Sequence, residues 1–309
     1  MRTTFINTLT ELSRKDDKVM CVIGDTGFSV FEQYEKEFPE RFINVGIAEQ
    51  NFVSFGAGLA AMGMKPFIYN VVSFMVYRAW EQIELDVCYQ ENPVVLVGVG
   101  GGHAYGTAGP THHGYFDIAL MRELPNMMVF CPADPVEMRA VMYAVYEANR
   151  PAYIRIGRSA DPVIHQSPVS FEIGKVIPMR EGKDTILLST GTMVKDALRT
   201  ADLLEEQGAA CAVYSVPSIE PMDVEFIEQL QGKYSCIYTL EEHSIRGGLG
   251  SAVEEVLSEK DMREIRLHKF GFPRTFAPVT GSREYLNALY GLDSENVAKV
   301  ILKDLQSGV

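Results

Sequence analysis

The sequence predicts an α/β fold made of two doubly wound domains, each built on a parallel-type sheet. Short apolar runs rich in β-branched residues alternate with longer stretches whose apolar residues recur at helical spacing, which is typical of parallel sheets covered by helices. This alternation stops once, after about half of the chain, and then resumes. The chain has 309 residues, of which 47% are hydrophobic, enough for two cores at roughly 100–200 residues per domain.

The first half carries the more regular part of this pattern. Strands are predicted over residues 19–24, 42–45, 66–72, 94–99, 127–132 and 153–156. Helices are predicted over residues 27–38, 47–62, 75–90 and 135–149. Asp134 followed by Pro135 is a typical start for the last helix, because aspartate caps a helix and proline fits its first turn.

The second half repeats the alternation on a smaller scale. Its predicted strands are residues 186–189, 212–216, 236–240 and 265–268, and its predicted helices are residues 194–207, 248–258 and 295–305. Between the halves the pattern lapses into polar residues and proline. We therefore expect a first domain over residues 1–165, a linker over 166–180 and a smaller second domain over 181–309.

Charge and composition exclude several classes of function. Lys and Arg number 28 against 41 Asp and Glu, and the formal net charge of −13 argues against a nucleic-acid-binding surface. The apolar stretches are too short or too interrupted to cross a bilayer, and the first residues lack the layout of a signal peptide, so we expect a cytoplasmic protein. The five cysteines lie far apart in mostly apolar runs, which predicts buried, unpaired side chains.

The most informative segment joins a predicted strand to a predicted helix over residues 44–51, Asn-Val-Gly-Ile-Ala-Glu-Gln-Asn. It places Glu49 in a mostly apolar setting near the start of the helix. The helix dipole and capping alone explain a carboxylate there, so these residues by themselves leave a purely structural role open.

Two further segments follow predicted strands. Phe74 and Tyr77 are spaced to present two rings toward one pocket, although ordinary core packing also explains them. Residues 99–114 leave a strand and pass through several glycines, as a substrate-facing loop does.

Together, these segments resemble the transketolase group of thiamin diphosphate enzymes. The resemblance covers nearly the whole chain, and its motifs fall in the family's order. They are residues 41–61, Ser73-Phe74, Arg78-Ala79-Trp80-Glu81-Gln82, Gly109-Pro110-Thr111-His112, Gly114-Tyr115-Phe116-Asp117, Leu124-Pro125-Asn126-Met127, Pro132-Ala133-Asp134-Pro135, Glu241-Glu242-His243-Ser244 and residues 247–252.

The resemblance implies a pyrimidine-binding domain followed by a transketolase C-terminal domain. The family's diphosphate- and metal-binding domain has no counterpart in this sequence, so the chain resembles the C-terminal subunit of a split transketolase. Such a subunit is active with a separate N-terminal subunit, and we expect an α2β2 heterotetramer. The implied reaction transfers a two-carbon ketol unit between sugars or sugar phosphates, with thiamin diphosphate as cofactor and Mg²⁺ or Ca²⁺ held mainly by the partner.

The resemblance also implies roles for individual residues. Glu49 matches the carboxyl group that hydrogen-bonds the cofactor's pyrimidine nitrogen N1′ and promotes its imino tautomer, and Phe74 and Tyr77 match the residues that stack on the pyrimidine. His112 matches a histidine that hydrogen-bonds an oxygen of the cofactor-bound substrate. Arg158 matches an arginine that receives the substrate phosphate, with an interdomain salt bridge as the alternative.

Departures from the family pattern concern the substrate. Ala108 stands where sugar-transferring relatives commonly have an aspartate that contacts a substrate hydroxyl, and Gly100 and Gly101 stand where relatives have a basic phosphate contact. His103 is expected to compensate as a substrate contact, whereas His113 is expected to be exposed without a role. These departures predict an unusual sugar or a modified ketose as substrate.

Three other interpretations stay open. The chain could be the β subunit of a 2-oxoacid dehydrogenase, a deoxyxylulose-phosphate-synthase-like carboligase, or a catalytically silent regulatory subunit. The segments around Glu49 and His112 favour the transketolase side over the dehydrogenase. In the synthases the spacing from the aromatic residue to Arg-Ala is one residue shorter than from Phe74 to Arg78 here, and retention of Glu49, Phe74 and His112 argues against a silent subunit.

Overall fold

The computed structural model describes residues 1–158 and 161–307, and two separate sheets within them confirm the predicted fold class. The larger sheet contains β1 (Val19–Ile23), β2 (Phe42–Asn44), β3 (Lys65–Val71), β4 (Val95–Val99), β5 (Met128–Phe130), β6 (Ala152–Ile156) and β10 (Ser218–Glu220). The smaller sheet contains β7 (Ile177–Arg180), β8 (Thr185–Ser189), β9 (Cys211–Ser215), β11 (Cys236–Ser244) and β12 (Arg266–Phe272). The strand orders are β10-β5-β6-β4-β3-β1-β2 and β12-β11-β8-β9-β7, and neighbouring strands are parallel except at the edge strands β10 and β7.

Helices cover the sheets on both faces. In the described residues they are α1 (Arg2–Lys15), α2 (Glu32–Glu37), α3 (Glu49–Ala61), α4 (Val72–Arg78), α5 (Trp80–Gln82), α6 (Asp117–Arg122), α7 (Pro135–Ala148), α8 (Val194–Glu205), α9 (Val224–Glu228), α10 (Leu249–Glu259), α11 (Arg283–Leu289) and α12 (Ser294–Gln306), with a π-helical segment at Ile83–Cys88. In the larger sheet, one face packs against α1 and α7 and the opposite face against α3 and α4. This is the doubly wound arrangement that the sequence predicts.

Three helices differ from the prediction. α1 was not predicted, because its N-terminal flanking residue, Met1, makes no capping hydrogen bond and the usual start signal is missing. The helix predicted over 27–38 begins only at Glu32, because Gly27 and Ser29 adopt left-handed backbone with φ of 85° and 62°. The helix predicted over 75–90 is divided into α4, α5 and the π-helical segment.

The two halves of the chain are joined at one sheet. β10 lies in the second half of the sequence, yet it pairs antiparallel with β5, so that Ser218 is opposite Phe130. One continuous apolar cluster also runs from the helices of the larger sheet to the strands of the smaller sheet. The last residues of the predicted linker form β7 instead of an irregular segment. Only Ile177 of this strand is buried, so it carries no alternation that a sequence pattern could reveal.

The topology gathers the predicted site residues at one edge of the larger sheet. Glu49 follows β2, Phe74 follows β3, the glycine-rich loop 100–116 follows β4, and Arg158 follows β6. Because parallel strands end at the same edge, segments that are distant in sequence meet there.

Two general expectations are tested by the burial pattern and by helix length. All five cysteines are free and buried, as predicted. Among residues 1–158 and 161–307, no helix combines the length and the apolar character needed to cross a bilayer.

Candidate active site

Glu49 is the first residue of α3 and lines a groove of about 570 Å³. Its side chain is only 9% exposed, and its Oε1 accepts a hydrogen bond from Nη1 of Arg78 at 3.0 Å. The same guanidinium group lies 4.5 Å from the ring centroid of Phe74. Ile47, also on the groove, is 76% exposed. A nearly buried carboxyl group therefore meets aromatic and aliphatic surface at one opening.

The backbone that leads to Glu49 is held by Asn44. Its Oδ1 accepts hydrogen bonds from the N–H groups of Asp25 and Gly46, both at 3.0 Å, and its Nδ2 donates to Asp25 Oδ1 at 3.2 Å. Gly46 has a φ of 77°, which glycine adopts without strain. These bonds tie the carboxyl ends of β1 and β2 together and fix where Glu49 enters its helix. The Asn-x-Gly spacing was the sequence signal for this turn, and the sequence reasoning did not use it.

A row of aromatic side chains continues along the sheet edge. The ring of Phe74 lies 4.9 Å from that of His112 in an edge-on arrangement, and Thr111 Oγ1 lies 2.9 Å from His112 Nδ1. The ring of Tyr105 lies 5.8 Å from that of His112, and the guanidinium group of Arg158 lies 4.7 Å from the Tyr105 ring. The predicted cofactor, oxygen and phosphate contacts thus form one continuous row, with Tyr105 as a member that the sequence reasoning missed.

Tyr77 is attached to the glycine-rich loop. Its hydroxyl oxygen accepts hydrogen bonds from the backbone N–H groups of Tyr115 at 3.0 Å and Phe116 at 3.1 Å. Burial raises the pKa of Tyr77. The hydroxyl therefore positions the loop, while stacking of its ring on the pyrimidine stays a prediction.

The expectation that His103 contacts substrate is wrong for this structure. His103 is fully buried, with Nδ1 2.8 Å from Asn287 Oδ1, Nε2 2.5 Å from the Tyr115 hydroxyl and its ring 4.2 Å from that of Phe272. Burial lowers its pKa. His113, expected to be exposed, is also buried. The loop folds its histidines inward, which glycine spacing alone does not reveal.

The glycines that replace the expected basic contact are explained by packing. A Cβ atom at Gly100 would collide with the ring of Tyr105, and one at Gly101 would collide with the guanidinium group of Arg155. Neither position therefore has room for a side chain. Ala108 is exposed on a short helical turn at Gly106–Ala108.

The smaller domain holds the loop through Glu242, near the end of β11. Its Oε1 accepts a hydrogen bond from the backbone N–H of His103 at 3.0 Å. Both of its carboxylate oxygens accept from Nε of Arg283, at 3.0 and 2.8 Å. Glu242 is 2% exposed, so this ion pair is largely withdrawn from water. Its motif signalled only family membership, and nothing in the sequence indicated its partners.

A second buried ion pair lies directly beneath the loop. Arg155 donates through Nε to Asp117 Oδ2 at 2.8 Å, and through Nη2 to the carbonyl oxygens of Gly114 at 3.0 Å and Glu242 at 2.7 Å. The Tyr153 hydroxyl donates to the same Asp117 oxygen at 2.7 Å. The last strand of the larger sheet, the loop and the smaller domain are thereby bonded to one guanidinium group.

Comparisons with known proteins agree with this architecture. Residues 1–162 match the family described as transketolase, pyrimidine binding domain, and residues 174–297 match transketolase, C-terminal domain. One of the two kinds of chain in the apulose-4-phosphate transketolase of Phocaeicola vulgatus is 37% identical over 98% of this chain and 96% of its own. A solved split gene transketolase, an inactive beta4 tetramer, is 37% identical, with a TM-score of 0.90 over 99% of this chain and 98% of its own. The 1-deoxy-D-xylulose-5-phosphate synthase of Syntrophus aciditrophicus is 34% identical over 98% of this chain, which spans 47% of that enzyme.

The chain belongs to the transketolase family of thiamin diphosphate-dependent transferases. Within that family it is the C-terminal subunit of a split transketolase, because relatives of this kind match it over nearly their whole lengths. The resemblance drawn from the motifs is thus confirmed.

The residues at the groove fit the pyrimidine ring of thiamin diphosphate. Such a ring is flat and mostly apolar and carries a nitrogen that a carboxyl group can hydrogen-bond; Glu49, Phe74 and Ile47 offer matching surfaces. Within the described parts of the chain, 1–158 and 161–307, no three His, Cys, Asp or Glu side chains come together as a metal site.

Proposed function

We propose that the chain, with a separate N-terminal subunit, transfers a two-carbon ketol unit between sugar or sugar-phosphate substrates in the cytoplasm. The observation that carries the proposal is the position of Glu49 beside Phe74 at one groove, with His112 and Arg158 along the same sheet edge. The Phocaeicola vulgatus relative, a chain of an apulose-4-phosphate transketolase, supports this class of reaction.

Glu49 is the residue we assign to cofactor activation. Thiamin diphosphate, when bound, supplies the carbon that takes up the ketol unit. Glu49 would hold the pyrimidine nitrogen N1′ by a hydrogen bond and share a proton with it. Phe74 and Tyr77 would line the ring. In the chain alone, Arg78 takes one oxygen of the Glu49 carboxylate, so this ion pair must adjust when the ring enters.

His112 and Arg158 are assigned to the substrate. The contact of Thr111 Oγ1 with Nδ1 of His112 orients the ring and leaves Nε2 for a substrate oxygen. Arg158 is exposed beside Tyr105, where its planar donor fork suits a phosphate group.

The partner would provide the diphosphate site and its Mg²⁺ or Ca²⁺ in an α2β2 heterotetramer. Exposed apolar side chains around the site support an interface there, since Ile47 is 76% and Phe116 40% exposed. The solved relative, an inactive beta4 tetramer of a split gene transketolase, is consistent with an activity that needs a second kind of subunit.

Substitution of Glu49 tests the proposal. In the presence of the partner, Glu49→Gln is expected to lower ketol-transfer turnover by roughly 10²–10⁴-fold, as for other lost acid–base groups, without loss of folding. Glu81→Gln, an exposed glutamate on α5, is the matched control. Near-normal transfer by Glu49→Gln would contradict the assignment. Calorimetry of the chain alone with thiamin diphosphate tests the divided site, because tight binding without a partner would contradict it.

Substrate choice provides a separate prediction. Ala108 offers no carboxylate to a sugar hydroxyl, and Tyr105 fills the space above Gly100 where relatives have a basic contact. We expect a lower kcat/KM for xylulose 5-phosphate than for apulose 4-phosphate, by about 10–150-fold if one charge-assisted bond decides. Efficient use of xylulose 5-phosphate, undiminished by Arg158→Ala, would refute both this preference and the role of Arg158.

A synthase-like activity is the second candidate, because 34% identity to a 1-deoxy-D-xylulose-5-phosphate synthase covers nearly the whole chain. Product analysis separates the two candidates. Formation of 1-deoxy-D-xylulose 5-phosphate by the assembled enzyme, in place of ketol transfer, would favour this second candidate.

A further inference from the structure

A pocket of about 320 Å³ opens where the end of β6 meets the first turns of α8 and α11. Three cationic side chains from these three elements line it: Arg158, Lys195 and Arg283. The first belongs to the larger domain and the other two to the smaller domain. The pocket is therefore built by both domains.

The charges around the pocket are only partly neutralised. The carboxylate of Asp161 is 2.9 Å from the amino group of Met1, and Arg283 is paired with Glu242. Lys195 and Arg158 have no carboxylate within 4.0 Å in the described parts of the chain. Glu284, on the pocket wall, is the acidic group that opposes them.

Hydrogen-bond donors add to this positive charge. Arg283 is held by Glu242 through Nε and by Thr192 Oγ1 through Nη2, the latter at 3.1 Å. Its Nη1 makes no hydrogen bond to any described residue, while the rest of the guanidinium group is fixed in place. A fixed arginine fork, a second arginine and a mobile lysine charge are the donors that a phosphate group requires.

The pocket is continuous with the aromatic row of the site. Arg158 lines the pocket and also lies over Tyr105, whose ring neighbours His112. A substrate whose reacting end lies at His112 would therefore run along Tyr105 and end in the pocket. Gly157 lines the same wall and leaves it open.

We propose that Lys195 and Arg283 complete, with Arg158, a pocket for the terminal phosphate group of a phosphorylated sugar. This inference rests on the proposed ketol transfer and deepens it, because it makes the smaller domain a determinant of substrate choice. Glu242 acts as a positioning residue that holds Arg283 in the pocket wall.

Binding of inorganic phosphate to the full chain tests the pocket without cofactor or partner. Lys195→Gln is expected to weaken phosphate binding by about 10-fold or more, as for the loss of a hydrogen bond to a charged group. The matched control is Arg199→Gln, one turn later on α8, where the exposed Arg199 is 3.9 Å from Glu206. It should leave binding unchanged. Absence of saturable binding, or equal affinities for wild type and Lys195→Gln, would overturn the pocket even if ketol transfer is established.

Steady-state kinetics of the assembled enzyme provide the second test. Lys195→Gln is expected to raise KM for a phosphorylated ketose by about 10-fold, with kcat and the KM for the same ketose without its phosphate unchanged. A fall in kcat alone, or an equal rise in both KM values, would contradict a phosphate contact. Absence of ketol transfer by the wild-type assembly would instead refute the proposed function and leave the phosphate titration to decide the pocket.

Discussion

Replacing Asp117 by asparagine should destabilise the chain more than any other single change at the ion pair beneath the loop. Asp117 is fully buried and Arg155 is 7% exposed, so the charge of the guanidinium group is balanced inside the protein. Asparagine keeps an oxygen for the two donors but removes the negative charge. Removing one partner of a buried pair costs about 3–5 kcal/mol, because the other charge is left uncompensated.

This cost can be measured as a fall in melting temperature. At about 2.1 cal/mol/K of unfolding entropy per residue, a chain of 309 residues should lose roughly 5–8 °C for Asp117→Asn. Tyr153→Phe removes only a neutral donor to the same oxygen and should lower the midpoint by roughly 2–3 °C, for a hydrogen bond of about 1–2 kcal/mol.

A double variant separates charge from packing. Asp117→Leu combined with Arg155→Met removes both charges, and stability should recover relative to either single change, since apolar replacement of a buried pair is often nearly neutral. The reasoning would be refuted if Asp117→Asn melted within about 2 °C of wild type, or if the double variant were less stable than both single variants.

Two further predictions concern stability. Asp134 accepts hydrogen bonds from the backbone N–H groups of Val136 and Glu137 at the start of α7, and of Ile164 and His165, so Asp134→Ala should cost about 2–4 kcal/mol in urea unfolding; a loss below about 1 kcal/mol would contradict this role. Burial lowers the pKa of His243 from 6.5 to about 4, so the unfolded chain binds a proton that the folded chain refuses. Its contribution to stability, about 3 kcal/mol, should be lost as pH falls from 6.5 toward 4, and His243→Gln should weaken this pH dependence; an unchanged slope would rule out the histidine as its source.

The sequence was most informative where one local pattern determines structure. Alternating apolar runs located most strands of the larger sheet within one or two residues, and Asp134 before Pro135 correctly marked the start of α7. The segment that ends in Glu49 was recognised because a strand, a turn and a helix start are adjacent in the chain. Its carboxylate lies at a groove for the same reason, since parallel strands deliver such turns to one edge.

Contacts between distant segments could not be read from these patterns. Glu49 and Arg78 are 29 positions apart, and His103 and Glu242 are 139 positions apart. Burial of His103 depends on Asn287 and Phe272, which come from the other domain. Glycine-rich spacing indicates that a loop exists, but the direction in which its side chains point is decided by the surface that the loop packs on.

The pairing of β10 with β5 limits how this chain can be divided. The two family matches end at residue 162 and begin at residue 174, which suggests a place to cut or to exchange modules. A fragment ending there would carry a six-stranded sheet whose β5 edge is bare, because Ser218–Glu220 would be on the other piece. An unpaired edge of this kind invites aggregation. For protein engineering, the unit that can be moved between relatives is therefore the whole chain.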